Sequence, residues 1–180
     1  MRRFALIVLL SVFASFLGLD GRVAAPAVRA APAQGALPPE GQILLVRPAG
    51  PKSQTFSIDG DGTNLRQITN HTESTSVPTW SPDGERIAFF AYTNPTSTGS
   101  FAIFTQDAAG GAATQVTSAP AGDKVAEIHP HWSPRGDKIA YIAWVTLDDG
   151  SRYDAHVMNP DGSGDVTLAV DAQPLSWSPD

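Results

Sequence analysis

The chain has no cysteine among its 180 residues. That removes disulfides, thiol nucleophiles and thiolate metal ligands together. It also lacks any cluster of Lys and Arg. A nucleic-acid partner is thereby excluded, because displacing counterions from a phosphate backbone needs clustered cations. Helical periodicity is missing throughout the body of the chain, and no G-x-S-x-G nucleophile elbow occurs. "GSG" at 162–164 reads as a turn. The longest apolar run, Phe4–Leu19, has 16 residues, short of the roughly 20 that span a bilayer.

That run follows Met1-Arg2-Arg3 and precedes small residues at Ala25-Pro26-Ala27 and Val28-Arg29-Ala30. The pattern is that of a secretory signal peptide over residues 1–30, with an uncleaved anchor as the alternative. Residues 31–41, "APAQGALPPEG", form a flexible Ala/Pro-rich tether. The remaining residues, 42–180, suffice for one modest core. Four of the 12 basic residues and one of the 18 acidic ones lie in residues 1–33. The exported part therefore holds 8 against 17, a net charge of −9.

What the body does contain is repetition. "PTWSPDGERIAFF" begins at Pro78, "PHWSPRGDKIAYIAW" at Pro130 and "PLSWSPD" at Pro174. The tryptophans Trp80, Trp132 and Trp177 are spaced by 52 and 45 residues. A second register aligns "SIDGDGTNLRQIT", "TQDAAGGAATQVT" and "VMNPDGSGDVTLA"; a third aligns "ILLV", "RIAFFAY" and "KIAYIAWV". All three keep the same order and phase.

Each unit reads as four short antiparallel strands. In the fullest one, "PTW" ends an inner strand and Ser81-Pro82-Asp83-Gly84 makes a tight turn. Proline suits the second turn position, Asp bonds nearby backbone and Gly accepts positive φ. "RIAFFAY" is a continuous apolar strand, expected to be buried on both faces. "FAIFTQD" returns, Ala109-Gly110-Gly111 turns again, and "ATQVTS" alternates as an outer strand. Four-stranded units at this spacing predict an all-β propeller, with the tryptophans packing between neighbouring blades.

The pattern P-x-W-S-P-D-G-x-x-I-A-F, followed by an aromatic strand and a D-G turn, resembles the TolB-type β-propeller repeat, related to the WD repeat. Pro78, Trp80, Ser81, Pro82, Asp83, Gly84, Ile87 and Ala88 match in one unit. Pro130, Trp132, Ser133, Pro134, Gly136, Ile139 and Ala140 match in the next, with Arg135 replacing the usual Asp. Trp177, Ser178, Pro179 and Asp180 open a third. The resemblance implies a periplasmic propeller, as in the Tol–Pal system, where it contacts a peptidoglycan-associated lipoprotein. TolB proteins carry a further N-terminal domain, whereas only a tether precedes the first strand here. A generic TolB-like repeat protein is the closer expectation.

The units divide as 42–70 (a blade without its inner strand), 75–118, 127–170 and 174–180 (the start of the next). That is three blades' worth of strands, whereas closed propellers have about 4–8 blades. An open arc with an exposed edge strand is expected, prone to self-association, and the chain reads as a piece of a longer one.

Candidate chemistry is thin. "DGDGTN" at Asp59 fails as a calcium loop, since the sixth and twelfth positions are Asn64 and Asn70 rather than Gly and Glu. Asn70-His71-Thr72 fits a glycosylation sequon that matters only in a eukaryotic host. No cofactor, metal or catalytic set is expected. Partner binding is expected on the face carrying the variable loops, through His71, Glu73, Asn94, Asp123, Glu127, His129 and Asp148. The leading reading is a non-catalytic exported scaffold for another envelope protein. The alternatives are the propeller of a prolyl-oligopeptidase-like serine peptidase and a carbohydrate-binding or lyase-type propeller.

Overall fold

In the computed structural model, residues 41–93, 101–118, 125–174 and 176–179 are described. The expected leader (1–30), most of the tether, and Asn94, Asp123 and Asp180 lie outside them. The described residues form three antiparallel sheets and no helix.

The first sheet has three strands: β1 (Gln42–Ala49), β2 (Lys52–Asp59) and β3 (Arg66–Gln67). The second has four: β4 (Thr75–Trp80), β5 (Arg86–Tyr92), β6 (Phe101–Asp107) and β7 (Thr114–Gln115). The third repeats this plan with β8 (Val125–Trp132), β9 (Ile139–Leu147), β10 (Gly150–Met158) and β11 (Val166–Ala169). Within each sheet the spatial order follows the chain, so every sheet is a meander. These are propeller blades, called blades 1, 2 and 3 below.

The core lies between the blades rather than within them. Because side chains alternate along a strand, the apolar run of β5 serves two interfaces. Ile87, Phe89 and Ala91 join Ile68, Ala102, Phe104 and Ala108 at the junction of blades 1 and 2, with Leu44 and Trp80 packed against them. Ala88 and Ile103 join Trp132, Ile139, Tyr141, Ala143 and Met158 at the junction of blades 2 and 3. Phe89 has no exposed surface and stacks on Phe104 with ring centroids 5.8 Å apart. The double burial anticipated for "RIAFFAY" is thus present.

Polar bonds reinforce each junction. Arg66 donates to the carbonyls of Ala108 (2.9 Å) and Ala109 (3.1 Å), and Gln106 Nε2 donates to Ile68 O (2.9 Å). The Arg86 guanidinium lies 5.7 Å from the ring centre of Trp132.

The Ser-Pro turns show how the repeat tolerates a changed letter. Ser81 Oγ donates to Asp83 Oδ1 (2.5 Å) and accepts from Arg86 N (2.9 Å), closing the turn onto the start of β5. In the next repeat Ser133 Oγ accepts from Lys138 N (3.0 Å) and donates instead to Asp137 Oδ1 (2.9 Å). A carboxylate two residues further along replaces the one lost to Arg135. In both turns this serine bond is the leading cause that holds the aspartate below the usual carboxylate range. Ser81→Ala should lower stability by about 1–2 kcal/mol, because Arg86 N loses its partner. Arg135→Ala, at an exposed side chain, should change it by less than about 0.5 kcal/mol. Urea unfolding of the two variants provides the comparison.

Two differences from the sequence reading stand out. Residues 172–174 and 176–179 form no strand, although 174–177 aligns with β4 and β8. No strand of a fourth blade lies among the described residues for this segment to pair with. Instead, Ala172 N donates to Tyr153 O (2.7 Å) and Trp177 Nε1 to His131 O (3.0 Å), so the half-buried Trp177 rests on blade 3. Second, both inner strands carry a bulge that no periodicity announces, between Ser76 and Thr79 and between Ile128 and His131. The residues before the prolines, Val77 (φ 44°) and His129 (φ 55°), take left-handed backbone that costs on the order of 1–3 kcal/mol.

Candidate functional site

Antiparallel order sends successive connections to opposite faces of the arc. The Ser-Pro turns and the Asp/Gly turns share one face. The β1–β2 and β9–β10 turns share the other with the links between blades.

The Asp/Gly turns consume their own polar groups. Asp61 Oδ1 accepts from Thr63 N (2.9 Å) and Thr63 Oγ1 (2.7 Å), and Asn64 Nδ2 donates to Asp59 Oδ2 (2.6 Å). Asp161 does the same with Ser163 N (2.9 Å) and Oγ (2.7 Å). Bonds from Thr63 and Ser163 hold the two carboxyls below their usual range. "DGDGTN" is a self-satisfied turn. Among the described residues, no three or more His, Asp or Glu side chains come together as metal ligands.

On the opposite face, His71 and Glu73 are held rather than free. Gln54, buried in β2, accepts from Thr69 Oγ1 (2.8 Å) and His71 N (2.9 Å), and donates to the carbonyls of His71 (3.0 Å) and Glu73 (3.2 Å). His71 Nδ1 accepts from Glu73 N (3.1 Å), its ring meets Phe104 edge-on at 4.7 Å, and Glu73 pairs with Lys52. This link between blades is a rigid platform with two polar side chains. Asp148 is exposed in the β9–β10 turn. His129, pushed outward by the bulge, is exposed beside Phe90 at 5.9 Å.

Glu127 is placed differently from the expectation. The loop expected to carry it ends earlier, because Val125 and Ala126 already pack into the core and start β8. Glu127 therefore lies inside the inner strand, only 6% exposed, accepting from Thr117 Oγ1 (2.9 Å) across the junction of blades 2 and 3. Burial raises its pKa to about 7, with the Asp165 charge adding to the rise and the Thr117 bond opposing it. It lines a cavity of about 220 Å³ together with Val116, Thr117, Ser118, Tyr141, Met158, Gly162 and Asp165. The sequence did hold a signal for this placement. Counting back from each tryptophan, Glu127 occupies the position of Thr75, which faces the blade 1–2 junction.

A second groove runs along the turn face between the Trp-Ser-Pro motifs, lined by Trp80, Pro82, His131, Trp132, Pro134 and Trp177. Desolvation lowers the pKa of the half-buried His131.

These blades define an all-β propeller, and its solved likenesses specify the type. A candidate TolB from Agrobacterium tumefaciens superposes at a TM-score of 0.60 with 23% identity, covering 77% of this chain and 50% of that one. TolB from Acinetobacter baumannii superposes at 0.54 with 19% identity, covering 74% and 31%. An oligogalacturonate lyase solved in complex with manganese reaches 0.50 with 14% identity, covering 66% and 30%. No family model matches the chain, and neither does any curated protein. The chain has a TolB-like propeller fold and spans half the length of the Agrobacterium protein or less of the others. Among the described residues, no helix is long and apolar enough to cross a membrane.

Proposed function

We propose that the chain is an exported, non-catalytic propeller scaffold that binds another envelope protein through the face carrying the inter-blade links. The observation that supports this most is the likeness to two TolB structures over about three quarters of the chain. The chemistry of the two faces adds to it. Turns on one face bond to themselves, whereas the other carries His71 and Glu73 on backbone pinned by Gln54, together with the exposed His129 and Asp148. Rigid scaffolds carry binding groups on such connections. Export to the periplasm belongs to the same proposal, supported by the apolar leader after Arg2-Arg3.

The test is calorimetric titration of the full chain with the soluble domain of the peptidoglycan-associated lipoprotein from the same host. Saturable binding is expected. It should weaken at least about tenfold in a variant combining His71→Ala, His129→Ala and Asp148→Ala, a loss of about 1.4 kcal/mol. Asp61→Ala and Asp161→Ala on the opposite face should leave it unchanged. Binding lost through the Asp61 and Asp161 variants instead would overturn the assignment of the face. Absence of binding, together with binding or cleavage of oligogalacturonate, would favour the lyase-type reading carried by the third structural neighbour.

A further inference from the structure

The two blade junctions share one hydrogen-bonding plan, in which Ile103 and Glu127 stand where the first junction has Thr55 and Thr75. At the junction of blades 1 and 2, Thr55 N donates to Thr69 Oγ1 (2.8 Å), just beyond the outer strand of blade 1. Thr75 Oγ1, five residues before Trp80, lies 3.0 Å from Thr55 Oγ1 and 3.4 Å from Thr69 Oγ1. Every group in this buried set is a neutral hydroxyl or amide. At the junction of blades 2 and 3, Ile103 N donates to Thr117 Oγ1 (2.9 Å) in the same way. Thr117 Oγ1 then donates to Glu127 Oε2 (2.9 Å), and Glu127 lies five residues before Trp132. A carboxyl stands where the sister junction has a hydroxyl.

The described residues lining the cavity include no Lys, Arg or His. From β9, Tyr141 faces the cavity, 2% exposed. From the link between β10 and β11 comes Asp165, which pairs with His156 Nδ1 of β10 at 3.3 Å. His156 Nδ1 also lies 3.4 Å from the Tyr141 hydroxyl. Blade 2 contributes Thr117 and Ser118, neither of which titrates. An ionised Glu127 would thus share a small cavity with a second carboxylate, and buried unpaired charge is costly.

We propose that Glu127 is a proton-operated latch on the junction of blades 2 and 3, closing it when the carboxyl is protonated and loosening it when the proton leaves to solvent. The pH window follows from burial. The carboxyl titrates at about 7 in the folded chain, against an ordinary value of 4.5. Between these values the folded chain holds the proton and the unfolded chain does not. The latch's contribution is therefore fully present below about 4.5 and lost as pH rises through about 7. Loosening would begin at the start of β8, where the chain enters blade 3 from the loop face.

Hydrogen exchange of the full chain at pH 5.5 and pH 8, corrected for intrinsic rates, reads the latch directly. Protection of Ala126–Ile128 and Tyr141–Ala143 should fall at least tenfold at the higher pH, relative to Thr55 and Phe89 at the other junction. In Glu127→Gln the difference between the two pH values should vanish, whereas the other histidines and acids still titrate. Glu127→Thr, which puts the hydroxyl of Thr75 at the matching position, serves as a second pH-insensitive variant should the glutamine variant fold poorly. Equal protection at both pH values in the parent chain, or the same pH response in a folded Glu127 variant, would overturn the proposal.

Discussion

Phe89→Ala should remove about 3–5 kcal/mol of stability, the range found for emptying a buried aromatic site. The side chain has no exposed surface and lies at the centre of the blade 1–2 core. It stacks on Phe104 at 5.8 Å, and His71 meets its ring edge-on at 6.1 Å. Phe104 and Ala102 of the same core are held in the β5–β6 ladder, so they have little freedom to collapse into the gap. A single domain typically holds about 5–15 kcal/mol in all, so a large fraction would go in one change. Urea unfolding should show a lower midpoint with an unchanged slope. A loss below about 1 kcal/mol would mean that the junction is looser than its geometry.

Gly162→Ala should cost about 2–5 kcal/mol, for two reasons that add. The residue has φ +85°, a left-handed conformation that costs an L side chain roughly 1–2 kcal/mol. A Cβ there would also lie 2.0 Å from the carbonyl oxygen of Val116, in the neighbouring blade. That obstacle is backbone, so relief requires the blade 2–3 junction to open, and overpacking of this kind costs typically about 1–3 kcal/mol. Gly84→Ala gives the comparison. It has φ +72° with nothing within 4 Å of the added carbon, so it should show only the conformational share. Thermal unfolding of the pair separates clash from backbone preference.

Much of the fold was legible because propeller blades repeat their turn chemistry. Ser-Pro-Asp-Gly and the Asp/Gly turns marked strand ends, and the unbroken apolar run of β5 announced burial on both faces. Less was legible where the third dimension decides. The bulges before Pro78 and Pro130 place left-handed backbone at Val77 and His129, residues whose side chains give no hint of it. The compensation of Arg135 by Asp137 needs the turn's geometry, because either carboxylate position can reach the serine hydroxyl. The sequence places Glu127 with the partner-binding loops, at the edge of the unit that begins at residue 127. Only the register against Thr75 shows that it points into a blade junction. Trp177 aligns with two strand-ending tryptophans, yet no strand among the described residues pairs with the segment before it, and its indole N–H bonds to His131 O.

The sharing of β5 between two cores has a consequence for how this protein would come apart. Residues adjacent in sequence, Ala88 and Phe89, report on different junctions, so substitutions at both should add almost independently, despite being covalent neighbours. Substitutions at Phe89 and Ile68, 21 positions apart in sequence but within one junction, should couple. The arc then behaves as a row of beads in which each blade feels only the next. Its unfolding should follow the statistics of a one-dimensional chain, starting from whichever junction is weakened first.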